Sequence, residues 1–211
     1  MKIKNILVKF TTSYLLALCC AAPVRSVAAT SVSQDVGGVK VENTQNVHGA
    51  TLQLNGAGVR YKAGFKVYTA ALYLDKRAGS TDEVLQATGY KRLMLTSLRE
   101  IEANELGRLF TKGLENNVQT SELAKMIPHL TRMGQLFADQ KRLAAGDTVL
   151  IDWMPGTGTV ITSKGVVQGE PFKDQEFFNG LLRIWLGKSP ADLRLKDALL
   201  GRPPETIGQS Y

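Results

Sequence analysis

The stretch FKVYTAALYL, Phe65 to Leu74, leaves the chain little choice of fold. Its aromatic, β-branched and leucine residues suit a strand buried on at least one face. Such a strand must lie inside a sheet with other elements laid over it. Just before it stands GAGVRYKAG, in which Arg60 sits between a glycine-rich turn and the apolar strand, so the two segments read as one β-hairpin carrying an unexpected cation. A lone arginine here is by itself a solvated strand-end residue, and Tyr68 by itself a core tyrosine. The rest of the chain has to supply a reason to read them otherwise.

The first half continues in strands. Val39–Glu42 and Thr51–Leu54 alternate weakly around a turn near Gly49, and Lys91–Leu98 puts Leu93, Leu95 and Ser97 on one face. Between them Thr81–Ala87 reads as a short helix capped by Ser80. The middle turns helical: Leu106, Leu109, Phe110, Gly113, Leu114 and Val118 recur at helical spacing, and Gly113 on that face implies close backbone approach. Leu123, Met126, Ile127, Leu130, Met133 and Phe137 repeat the pattern, interrupted by Pro128, which gives two short helices or one kinked helix.

Thr148–Met154 and Val160–Ser163 then form a hairpin around Pro155-Gly-Thr-Gly, with a third strand at Val166–Gly169. A phosphate loop is excluded there, because a strand follows the glycines where a helix and Gly-Lys-Ser/Thr are needed. Phe177, Phe178, Leu181, Leu182 and Trp185 share one helical face that stops at Gly187. Ser189-Pro190 reads as the cap and first residue of a last helix over Ala191–Leu200, ended by Gly201. Strands, helices, a hairpin and more helices predict an α+β domain, its helices layered on one face of a mainly antiparallel sheet.

The chain opens with Lys2, Lys4 and Lys9, an apolar run too short for a bilayer, and small residues at Ser26, Ala28 and Ala29. That pattern predicts a cleaved signal peptide over residues 1–29, a polar leader over 30–38, a domain over 39–201 and a tail over 202–211. No stable membrane anchor is expected after cleavage. The segment takes four of the 26 basic residues and none of the 19 acidic ones, so the mature charge falls to about +3, too little to argue for a nucleic-acid partner. Both cysteines, Cys19 and Cys20, leave with it. His48 and His129 are the only histidines, and neither has a partner at ligand spacing. A disulfide, a thiol nucleophile, a protein-built metal site and a Ser–His–Asp hydrolase are therefore not expected.

Taken in order, LNGAGVRYKAGFKVYTAALYL, KRLMLTSLREIEANELGRLFTKGLE, LIDWMPGTGTVIT and FFNGLLRIWLG resemble the chalcone isomerase-like family, in its bacterial secreted branch, over roughly Leu52 to Gly201. The resemblance implies an open-faced β-sandwich: a large, mainly antiparallel sheet covered by helices on one face, with a ligand cleft between. The family includes plant isomerases that close a chalcone to a flavanone, members that bind fatty acids, and members without known catalysis. The isomerases' arginine matches Arg60, while their threonine position on the next strand holds Tyr68, as in fatty-acid-binding relatives whose Arg and Tyr contact the carboxylate. Their Tyr and Asn on the following helix fall on Leu106 and Gly113 in an ungapped alignment, with Asn116 or Asn117 the alternatives for a shifted register.

Together with the N-terminal signal pattern, the resemblance therefore implies a periplasmic, non-catalytic binder of a small anionic amphipath, a fatty acid or an aromatic acid, held by Arg60 and Tyr68, with Leu106, Leu109, Phe110 and Gly113 lining the cleft. No metal or other cofactor is implied, and no catalytic residue is assigned. Two other readings stand beside it: an isomerase (intramolecular lyase) with a divergent site, and an accessory protein whose partner is another protein.

Overall fold

The computed structural model describes residues 32–202. The expected signal peptide and nearly all of the expected tail lie outside these residues. Ser33–Val36 (β1) and Val39–Glu42 (β2) pair as a hairpin of their own. The leader expected over 30–38 is therefore partly a strand, turned back by Gly37 and Gly38, both at positive φ.

The main sheet takes Thr44–Val47 (β3), Ala50–Lys62 (β4), Phe65–Leu74 (β5), Lys91–Ser97 (β6), Thr148–Met154 (β9), Gly158–Ser163 (β10) and Val166–Val167 (β11). Two short strands outside it, Ile101–Glu102 (β7) and Arg142–Leu143 (β8), pair with each other. The seven main strands lie in the order β11-β10-β9-β6-β5-β4-β3, every neighbour antiparallel. The helices are Thr81–Gln86 (α1), Ala103–Glu115 (α2), Thr120–Gln140 (α3), Gln175–Leu186 (α4) and Leu193–Leu199 (α5).

Strand alternation sorts the residues into two layers. Leu72, Leu74, Leu93, Ile151 and Ile161 meet Phe177, Phe178, Leu181, Leu195 and Leu199 on the helix side. On the other side Leu52, Leu54, Ala71 and Tyr73 pack with Val41 and Val47, so the β1–β2 hairpin closes part of that face. Each fully buried side chain of this size contributes about 1.5–3 kcal/mol.

Three local expectations change. The glycines of GAG belong to β4 and are not a turn. A register shift at Asn55 turns Gly56, Gly58 and Arg60 to the helix side, opposite Leu72, Ala70 and Tyr68. There α5 lies directly on the strand: a Cβ on Gly56 would run into the Ala198 carbonyl, and one on Gly58 would sit 2.7 Å from Ala198 Cβ. The turn itself is Ala63-Gly64, both at positive φ, as a two-residue hairpin loop requires. Next, α3 runs as a single 21-residue helix through Pro128. Its two flanking apolar stripes, with Met126 and Met133 buried, continue on one face and outweigh the missing N–H. Finally, α5 begins at Leu193, because Asp192 and not Ser189 is the cap: its carboxylate accepts from the backbone N–H groups of Arg194 (2.9 Å) and Leu195 (3.2 Å).

The bulged Asn55 also locks the arrangement. Its amide donates to the carbonyls of Ala78 (3.0 Å) and Leu199 (2.8 Å), and its oxygen accepts from Ala78 N–H at 2.8 Å. A polar residue freed from the ladder thus ties β4 to the end of α5.

Candidate functional site

Arg60 on β4 and Tyr68 on β5 are register partners, so the ladder itself sets them side by side under the helices. The Arg60 guanidinium stands 5.3 Å from the centre of the Tyr68 ring, and its Nη1 donates to the phenol oxygen at 3.4 Å. From α4, the indole Nε1 of Trp185 donates to the same oxygen at 2.8 Å. The Tyr68 oxygen therefore accepts twice, and among the described residues its own proton has no acceptor. Burial pushes the phenol above its usual pKa, only partly countered by Arg60 and Trp185 and reinforced by Asp192, so Tyr68 is a neutral donor at ordinary pH.

Arg60 is only 9% exposed. Among the described residues no carboxylate pairs with it, and its Nε is buried without a hydrogen-bond partner. A buried cation without a counter-ion is costly unless something else neutralises it.

Both side chains open into a cavity of about 340 Å³ between the sheet and the α2–α3 pair. Leu95, Val149, Ile151 and Ile161 form its sheet wall; Leu109, Phe110, Gly113, Met133 and Phe137 form its helix wall. Phe110 and Phe137 meet edge to face at 5.3 Å. Lys62, Lys112, Asn116 and Ser189 are polar residues among its lining. Such a space, largely apolar with a few convergent polar groups, is of the size and kind that holds a small ligand. No carboxylate is among the lining residues, which include three cations.

Of the residues singled out from sequence, Arg60, Tyr68, Leu109, Phe110 and Gly113 come together here. Leu106 does not: one turn nearer the start of α2, it packs half-buried on the core instead. Gly113 has a packing reason, since a Cβ there would stand 2.8 Å from Ile184 Cγ2 on α4. Asn116 lines the cavity, whereas Asn117 is spent on structure, its amide donating to the carbonyls of Gly113 (2.9 Å) and Ser189 (2.8 Å).

Sequence reasoning missed Trp185, Met133 and Phe137, which it assigned to plain apolar faces. A buried indole N–H needs an acceptor, a usable signal for Trp185, but its partner lies 117 residues away in the chain. Among the described residues no cluster of His, Cys, Asp and Glu could hold a metal ion, and no helix is long and apolar enough to cross a membrane.

A family profile described as chalcone isomerase-like matches residues 33–201. The fold is also that of an Arabidopsis thaliana fatty-acid binding protein, AtFAP1, known from its crystal structure: the TM-score is 0.61 at 16% identity, over 77% of this chain and 92% of that one. At that identity the likeness is one of fold: a large curled antiparallel sheet with helices on one face. No curated protein matches the sequence.

Proposed function

The chain belongs to the chalcone isomerase-like family, and on that premise we propose that it binds a small anionic amphipath, a fatty acid or an aromatic acid, without catalysing a cyclisation. The observation that carries this reading is the buried Arg60 guanidinium, which among the described residues has no carboxylate partner and stands beside a phenol whose proton has no acceptor there, in a cavity otherwise lined largely by hydrocarbon. A carboxylate placed there meets both needs: it neutralises the cation in a bidentate fork and accepts from Tyr68. The tail then lies along Leu109, Phe110 and Phe137, gaining about 0.8 kcal/mol per CH₂ buried. The name of the neighbour AtFAP1 as a fatty-acid binding protein supports the same ligand class.

Cyclising a chalcone needs donors that hold both the phenolate and the developing enolate. Arg60 and Tyr68 suit an anion, but Leu106 lies outside the cavity and Gly113 has no side chain to offer a ketone. The kcat/KM for a chalcone panel is therefore expected to stay below about 10⁴ M⁻¹s⁻¹, the lower end of ordinary enzymes.

Titrating a fatty-acid series and its methyl esters tests the reading. The acid should bind wild type well and the ester poorly. Arg60→Ala should lose most affinity, Arg60→Lys less, and Tyr68→Phe least, with about 1.5–3 kcal/mol at stake in the charge-assisted bonds. Equal affinity for acid and ester, or an Arg60→Ala protein that binds like wild type, would refute it.

The bacterial secreted assignment and the periplasmic location belong to the same proposal and rest on the N-terminal sequence pattern. N-terminal sequencing should find the mature chain beginning at Ala29 or Thr30; Met1 retained on membrane-bound protein would overturn the location.

A further inference from the structure

The fold gathers large apolar side chains at the exposed tip beside the cavity. Tyr61 and Phe65 flank the Ala63-Gly64 turn on opposite faces of the hairpin, and Tyr61 N–H donates to the Asp192 carboxylate at 2.9 Å, which brings Leu193 to the same end. These three side chains are 45%, 66% and 68% exposed. Their neighbours are basic: Lys62 and Lys66 are the register partners of Phe65 and Tyr61, and Arg194 follows Leu193. Two carboxylates at this end are already engaged. Asp192 accepts three backbone N–H groups, and Glu105 pairs with Lys62 and stands 3.8 Å from Arg99. Lys62 also lines the cavity, which joins this tip to the ligand space.

Exposed apolar residues scattered singly need no explanation, but three brought to one tip and alternating with cations do. Aromatic and leucine side chains interleaved with lysine and arginine are the chemistry of a surface that enters a bilayer interface while its cations meet anionic headgroups. We propose that the β4–β5 tip and the start of α5 dock on a lipid bilayer carrying anionic lipids, with the cavity beside the docked tip. A carboxylate amphipath then passes between bilayer and cavity without crossing open water. The transfer step rests on the anion-binding reading above; the docking step does not.

The experiment uses the full mature chain, without added ligand, and vesicles of phosphatidylcholine with and without phosphatidylglycerol. Wild type should sediment with the anionic vesicles, weakly with the neutral ones, and be released by high salt. Lys66→Gln and Arg194→Gln should each weaken anionic-vesicle binding roughly fivefold. Phe65→Ser combined with Leu193→Ser should weaken it at least about tenfold, while circular dichroism and solution affinity for a fatty acid stay at wild-type values. Wild type left in the supernatant, or a double-serine variant that sediments like wild type, would overturn the docking proposal. Concentration-dependent self-association abolished by the same serines would instead assign the tip to a second copy of the chain. If docking holds and the fatty acid binds in solution, but a fluorescent fatty acid in the vesicles never reaches the protein, the transfer step alone fails; if the fatty acid does not bind in solution either, the anion-binding reading fails and the docking surface stands.

Discussion

Lys91 shows what a single buried side chain does to the stability curve. It is 0% exposed, donates from Nζ to the Leu85 carbonyl at 3.2 Å, and lies 5.6 Å from the centre of the Phe178 ring. Burial pulls its pKa from 10.5 to about 8, against the opposing pull of Asp75. The folded state therefore binds fewer protons than the unfolded one between those values. The stabilising contribution is present above pH 10.5 and is lost as pH falls through about 8. Tyr73 acts with the opposite sign: burial pushes it from 10.0 up to about 12, so its contribution holds below pH 10 and fades toward 12. Denaturant unfolding should show stability climbing from pH 8 to 10, as Lys91 dictates, and then falling toward pH 12, as Tyr73 dictates. Lys91→Met should flatten the climb, by about 3 kcal/mol at most. An unchanged slope would mean that the ammonium reaches water.

At the scale of elements, two kinds of glycine separate cleanly. Gly56→Ala or Gly58→Ala places a methyl group where α5 already lies, so each should destabilise by about 1–3 kcal/mol and loosen α5. Gly134, inside α3 with open space around it, should tolerate alanine and gain about 0.5–1 kcal/mol. Thermal melts of the three variants check both signs. The same contrast marks how far the sequence is legible. Phe65–Leu74 and the stripes of α2, α3 and α4 announce themselves through local periodicity, which is why strands, helices and the α+β class are readable. The role of GAG is not: those glycines answer to Ala198 and Leu199, far along the chain. Asn55 looks like any polar residue until Leu199 arrives, 144 positions later, to accept its amide. At the site, Arg60 and Tyr68 carry meaning only as a matched pair, and their shared contact to Trp185 exists only once α4 is laid over the sheet. Leu106 misleads for a related reason. Helical spacing fixes its face but not where along α2 the cavity ends.

On the scale of the whole molecule, the two sides of the sheet divide the labour. The helix side combines the main core with the cavity, and the opposite side is held by the smaller cluster under the β1–β2 hairpin. There the Arg92–Asp152 pair crosses from β6 to β9 with two bonds of 2.7 Å. A ligand seated between sheet and helices links both walls and stabilises only the folded chain. At a fatty-acid concentration of 100 Kd the gain is about 2.7 kcal/mol. For a chain of this size that corresponds to a rise in Tm of roughly 5–11 °C. Differential scanning calorimetry should register the rise for wild type and largely lose it for Arg60→Ala at the same concentration. A ligand that binds without raising Tm would have to sit somewhere other than this space.

The contact between Trp185 and the Tyr68 oxygen also makes the protein its own optical gauge. Of the two tryptophans in the chain, Trp153 is packed 5.6 Å from Phe178 in the core, while Trp185 borders the cavity with its N–H on the phenol that a ligand would approach. Filling the cavity changes the dielectric and the hydrogen bonding around one indole and leaves the other as a steady background. A Trp153→Phe protein would therefore report occupancy through a single emitter, with no label attached.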